Sequence, residues 1–273
     1  MTARAGSPVL LPLRPRGAGV LSACAGVALA AALVASIVVA QVRSVPGQPS
    51  VFLLLVKWTP LLARGFLFNL LISFCAMLVG TVGGLLLGSA RISLRRPVRG
   101  LSWIVVQFFR NAPWLVLLFF VMFLLPFEFH VGGTTIPFPD WIKATLGLAL
   151  PIMANVAEIL RGAVQSIPTA QWDAARSLAF SRRQTLLKII MPQCVKRMLP
   201  PWMNWYAILT MATTLASIVG VSEVMTLTLR ITNAEGRTDL LIPIYSYVLL
   251  FFFVYCWPIS LLTRRLEARY EVR

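Results

Sequence analysis

The chain has 273 residues, of which 58% are hydrophobic and only 12% charged. A soluble domain of this length carries about 25% charge, so most of the chain cannot face water. Lys and Arg number 25 against 9 Asp and Glu; they cluster between apolar runs, which fits retained loops beside a membrane better than a nucleic-acid surface.

Residues 1–18 form a basic tail with Arg4, Arg14 and Arg16. Val20 to Val42 is uncharged and long enough to span a bilayer. Its small-residue pairs also suit a cleaved signal peptide, but the run is long for one, and a retained helix is the preferred reading. Leu21-Ser22-Ala23-Cys24 lies at the start of the run, the wrong end for a lipoprotein cleavage box. Residues 43–64, punctuated by Pro46, Pro49 and Pro60, read as an extracytoplasmic connection. A second span runs from Gly65 to Ala90, with Gly80, Gly84 and Gly88 on one helical stripe, the pattern for close helix packing in lipid. That stretch lacks the Lys of a phosphate-binding loop, and no other Walker-type sequence occurs.

Arg91, Arg95, Arg96 and Arg99 make a short basic loop. Pro113 divides a short entry helix from a third span, Trp114 to Leu125. Residues 126–140 read as an outer loop. The fourth span, Trp141 to Gly162, carries Pro151, Asn155 and Glu158 on one face. A fifth span covers Trp202 to Val224, residues 225–242 form a second outer loop, and a sixth span covers Pro243 to Leu262 before a basic tail, 264–273. Six spans put 19 Lys and Arg on one side and 6 on the other, which places both termini in the cytoplasm of a multi-pass cell-membrane protein.

Four separated cysteines (Cys24, Cys75, Cys194, Cys256) and the single histidine, His130, give no metal or disulfide pattern. No nucleophile or acid–base constellation suggests an enzyme.

The charged exception is 163–201. Pro168 opens a helix expected over Thr169–Ala179, and Ser181-Arg182-Arg183-Gln184 matches a capping box that starts a second helix. Pro192 is expected to end or kink that helix. The corner falls at Ala179–Ser181.

These residues resemble a known family. Asp173-Ala174-Ala175, Ala179, Ile189, Met191 and Pro192 keep the spacing of the EAA motif of permease subunits in bacterial ABC importers. Asp173 replaces the usual Glu, Met191 the usual Leu, and Ala179 the usual Gly. Because Ala resists positive φ, the turn is expected to tighten or shift by a residue. Arg110-Asn111-Ala112-Pro113-Trp114-Leu115-Val116, Glu158-Ile159-Leu160-Arg161-Gly162 with Ser166, Ile167 and Gln171, and Thr213-Thr214-Leu215-Ala216-Ser217 resemble three further segments of the polar amino acid permeases. Met211 and Ala212 stand where that family has Lys-Asp. The likeness covers roughly residues 65–263.

The resemblance implies an all-α membrane protein, with a five-helix importer core plus one N-terminal helix. It implies that the loop is a coupling helix seated in a separate ATPase subunit. ATP and Mg would be bound by that partner, and this chain would hold no cofactor. The other implied partners are an extracytoplasmic solute-binding protein and a second permease, identical or sister. Candidate coupling residues are Asp173, Ala174, Ala175, Arg176, Ala179, Phe180, Ser181, Arg182 and Arg183, with Ala174, Ala175, Ala179 and Phe180 as the close-packing face. Candidate path residues are Asn69, Ser73, Asn155, Glu158, Thr210, Thr213 and Thr214. Glu158 meets either a substrate ammonium or a structural partner, Arg161 or Arg110. The competing function is a self-sufficient secondary transporter or channel for small polar solutes, which would favour more ionisable groups within the spans.

Overall fold

The computed structural model describes residues 49–131 and 133–270, with isolated positions between 28 and 39 that are helical. The basic tail, most of the expected first span with Cys24, and residues 271–273 lie outside the described residues.

Helix α1, Val51–Arg91, is 41 residues long, about 62 Å at 1.5 Å per residue and twice the hydrocarbon thickness. It absorbs most of the expected connection, with Ser50 accepting the Leu53 N–H at its start. Pro60 lies inside it without ending it. The reason is tertiary: Val51, Leu54, Leu55 and Leu62 are buried against Val224, Ile231, Leu240 and Ile244, and that burial outweighs the lost helical hydrogen bond.

Helix α2 (Arg96–Asn111) and helix α3 (Trp114–Leu124) meet at Ala112-Pro113 with a bend of 108°. The break falls at Pro113 as expected, dividing a short entry helix from the third span, Trp114 to Leu124. The outer loop then holds an antiparallel hairpin, β1 (Glu128–Val131) with β2 (Thr134–Pro137), paired from Glu128–Pro137 to Val131–Thr134. It is an addition to the all-helical expectation.

Helix α4 (Asp140–Gln165) is the central element. Its partner is α1, and the glycine stripe makes their contact possible. A Cβ on Gly80 would lie 2.6 Å from Ile152 Cγ2, one on Gly84 2.6 Å from Val156 Cβ, and one on Gly88 2.9 Å from Leu160 Cδ2. Ile72, Met77, Leu118, Leu148 and Ile152 fill the core between α1, α3 and α4.

Helix α5 (Thr169–Ser177) is followed by α6 (Arg182–Gln184), a π-helical stretch Thr185–Ile190, and α7 (Met191–Ala212). The last three run on as helix without a break, so of the two outcomes expected at Pro192, an end or a kink, the end does not occur. The Met191 N–H reaches back five residues to Leu186 O. This wider register accommodates the proline ring that an α turn would reject. Pro200 and Pro201 also lie inside α7.

The expected fifth span stops early. After Ala212 the chain tightens into a 3₁₀ turn, Thr213–Ser217, and reverses at Gly220 with φ of 92°. The expected second outer loop is largely helix α8, Val224–Glu235, ended by Gly236 with φ of 63°. Glu235 accepts from Lys57 Nζ at 3.0 Å and Trp58 Nε1 at 2.7 Å, tying α8 to α1. These hydrogen bonds, Lys57 first, hold its carboxyl below the usual carboxylate range, so the tie is complete above that range and lost as pH falls. A 3₁₀ turn, Thr238–Leu240, leads into α9, Leu241–Tyr270. Among the described residues three helices are long and apolar enough to cross a membrane, four if the bent pair is one span.

Candidate functional site

Two regions hold the chemistry-bearing residues. The first is the corner between α5 and α6. Leu178 caps α5; the Ala179 N–H donates to Arg176 O at 2.9 Å and the Phe180 N–H to Ala175 O at 3.0 Å. This pair of bonds is a Schellman ending, which needs a left-handed residue after the cap. Ala179 takes that role itself, with φ of 57°. The turn has not shifted; it keeps the geometry suited to Gly and holds an Ala in it. A left-handed Ala costs about 1 kcal/mol. Ala179→Gly is therefore expected to stabilise the corner by roughly that amount, read as slower amide exchange at Ala179 and Phe180.

The capping box forms as expected: Ser181 Oγ accepts the Gln184 N–H at 3.4 Å, and Gln184 Oε1 accepts the Ser181 N–H at 2.8 Å. Arg182 donates to Ile92 O at 3.0 Å, fastening the corner to the end of α1. Arg197 donates to Ser166 O and Oγ at 2.7 and 2.8 Å, and Gln193 donates to Gln171, so α7 grips the chain on either side of Pro168.

Of the expected docking residues, Asp173, Ala174, Arg176, Ala179, Phe180, Ser181, Arg182 and Arg183 are exposed. Asp173 and Arg176 pair at 3.4 Å, with both side chains more than half exposed, which adds little stability. Ala175 is different. It is 1% exposed and packs inward, so it cannot belong to a docking face. Leu178, unmarked in the sequence reading, is 69% exposed beside Phe180 at 37%. The signal for it was an apolar side chain on the last turn of a short polar helix. Together they leave two exposed apolar side chains at the corner, flanked in sequence by Arg176, Arg182 and Arg183.

The second region lies where α1 meets the break after α7. Asn69 donates to Thr213 Oγ1 at 3.0 Å and to Glu223 Oε2 at 2.8 Å, while its Oδ1 accepts the Val224 N–H at 3.1 Å. Glu223 Oε1 accepts the Met225 and Thr226 N–H groups at 2.9 and 3.0 Å. Asn69, Thr210, Thr213 and Glu223 are all 0% exposed. A buried carboxylate costs several kcal/mol unless it is hydrogen-bonded, and here it caps the first turn of α8. Glu223 was missed in sequence; an acid standing just before the helical run Val224–Glu235 was its trace.

The other path candidates bond locally. Ser73 donates to Leu70 O, Thr210 to Tyr206 O, Thr214 to Met211 O, and Asn155 to Pro151 O. Ser73 and Asn155 are buried and Thr214 is half-buried. Glu158 accepts from Arg161 Nε at 2.8 Å and from Arg91 Nη2 at 3.2 Å. The Arg161 partnership was anticipated; the second partner is Arg91 rather than Arg110. Among the described residues no hydrogen bond joins this cluster to the Asn69 network.

An apolar helical core, a tight α1–α4 crossing and an exposed helix-turn-helix corner define a membrane permease subunit. The chain belongs to the family described as binding-protein-dependent transport system inner membrane component, whose model matches residues 80–272. It is 37% identical over 166 residues to the probable amino-acid ABC transporter permease protein YckA of Bacillus subtilis, covering 61% of this chain and 71% of that protein. It is 31% identical to the probable glutamine ABC transporter permease protein GlnP of the same organism, covering 75% and 91%. The fold matches the crystal structure of an amino acid ABC transporter with histidines at a TM-score of 0.69 and 25% identity, over 80% of this chain and 98% of that one. The MetNI methionine ABC transporter matches in fold at a TM-score of 0.61 and 16% identity, over 79% of this chain and 99% of that one.

Proposed function

We propose that this chain forms the translocation path of an ABC importer for a polar amino acid or similar small zwitterion. It works with a second permease copy or a sister permease, two ATPase subunits and an extracytoplasmic binding protein. ATP and Mg belong to the ATPase subunits. Both termini and the α5–α6 corner face the cytoplasm, in keeping with the distribution of Lys and Arg.

The observation that carries this reading is the corner itself. A membrane protein with no nucleotide motif presents Leu178 and Phe180 to solvent on a turn that keeps a costly left-handed Ala. Such a tip is suited to a partner's groove. The corner is fastened to α1 through Arg182 and continues into α7, so a movement of the partner is delivered to the membrane helices. The amino-acid class of the substrate is supported by the named relatives.

Reconstitution with the cognate ATPase and binding protein tests the reading. Uptake of polar amino acids should need ATP and all components. Uptake by this chain alone would establish the secondary-transporter reading instead. Within the working importer, Glu158→Gln should leave the ATPase bound while reducing uptake or altering amino acid preference several-fold, because it frees Arg91 and Arg161 from their shared carboxylate. Unchanged uptake of every amino acid tried removes Glu158 from the path.

A further inference from the structure

Four arginines surround a groove of about 340 Å³ at the basic end of the helices: Arg91 from α1, Arg99 from α2, Arg161 from α4 and Arg182 from α6. Leu94 and Trp172 form part of its apolar wall. Among the described residues no acidic side chain lines it. The only carboxylate among the described residues paired with any of these four is Glu158, which binds Arg91 and Arg161. Arg182 is held by a neutral carbonyl, Ile92 O. Arg99 is exposed and has no side-chain partner among the described residues. The Arg91 side chain is only 10% exposed, and its buried Nε has no hydrogen-bond acceptor.

A buried guanidinium donor without an acceptor costs about 1–3 kcal/mol, more when the group is charged. Four guanidinium forks around one groove, of which the Arg91 Nε alone is a buried donor without an acceptor, match the geometry of a phosphate diester better than that of a point charge. The apolar wall beside them separates two classes of anion. A free inorganic ion gains nothing from Leu94 and Trp172, whereas a lipid glycerol and first acyl carbons do. Leu94 is 68% exposed next to this charge. The groove lies near the C-terminal ends of α1 and α4, two of the helices long and apolar enough to cross a membrane, within reach of a lipid headgroup.

We infer that this groove binds the headgroup of an anionic phospholipid, with Arg99 and Arg91 on the phosphate. The lipid thereby clamps the start of α2 to the end of α4. It is a structural ligand of the permease, separate from the transported solute.

The test is lipid retention by the full chain, purified from vesicles of equimolar phosphatidylglycerol and phosphatidylcholine and weighed intact by native mass spectrometry. The expected result is at least fivefold enrichment of phosphatidylglycerol, falling to near parity in Arg99→Glu and Arg99→Gln. Lys196→Glu, an exposed charge change outside the groove, should leave the enrichment in place. Arg99 has no side-chain partner to lose, so folded protein is expected from both variants. Equal enrichment in the Arg99 variants overturns the site. Displacement of the lipid by millimolar inorganic phosphate shows a simple anion site and overturns the lipid assignment. Loss of ATPase binding in Arg99→Glu without any lipid preference assigns the groove to a protein partner and equally overturns it.

Discussion

Leu178→Asp is expected to lower the affinity of the permease for its ATPase subunit at least tenfold, with a matching loss of ATP-driven uptake and normal membrane abundance. Burying a leucine side chain contributes about 1.5–3 kcal/mol, and 1.4 kcal/mol is a factor of ten in binding. An aspartate gives up that term and brings an unpaired charge to a dry contact. The position is well suited to the test because Leu178 is 69% exposed within its own chain. Its replacement removes little internal packing. Phe180→Asp should act in the same direction and less cleanly, since Phe180 is only 37% exposed. Ala175 offers no such test. Buried at 1% exposure, it would report on the folding of the corner if enlarged to Trp. The measurement is the ratio of ATPase to permease after co-purification, alongside uptake in vesicles. Normal values of both for Leu178→Asp would dismiss the tip as the docking point.

The second large effect concerns the α1–α4 crossing. Gly84→Leu should abolish folded permease, and Gly84→Ala alone should destabilise it by about 1–3 kcal/mol, the usual cost of overpacking a close contact. An added Cβ meets Val156 Cβ at 2.6 Å and the backbone Met153 O at 2.7 Å, so a side-chain rotation cannot relieve it. Gly100 supplies the control. Nothing lies within 4 Å of a Cβ placed there. It sits in α2, where Gly-to-Ala favours the helix by about 1 kcal/mol. The two Ala variants should thus move thermal stability in detergent in opposite directions. The same sign for both would show that α1 and α4 can separate without penalty.

These two sites differ in how far the sequence announced them. The glycine stripe is a local periodic signal, and the crossing it makes is the one it advertises. The capping box is equally local: Ser181 and Gln184 stand three apart and bond as their spacing requires. The docking tip was half legible. Its chain position followed from the order of motif residues, but which alanine faces inward depends on how α5 lies against the rest of the chain. The prolines misled for a related reason. Pro60 and Pro192 are strong local stop signals, yet one is outweighed by burial of Val51, Leu54 and Leu62, and the other is absorbed by a widened helical turn. Glu223 is the plainest omission. A lone acid in an apolar run has no readable role until Asn69, more than a hundred residues away in sequence, is brought to it.

The uninterrupted rod from Arg182 to Ala212 has a mechanical meaning. At 31 residues, counting α6, the π stretch and α7 together, it is about 46 Å long. One end is the corner and the other is the Asn69–Thr213–Glu223 network. A tilt of a few degrees at the corner becomes a shift of a few ångströms at that network if the rod moves as a unit. The π turn widens the register at one end of the rod, and Pro200 and Pro201 remove ladder hydrogen bonds further along it. Tightening the π turn to α geometry would advance the corner by about 100° of helical phase relative to α7, so the rod contains both a lever arm and a limited torsional give.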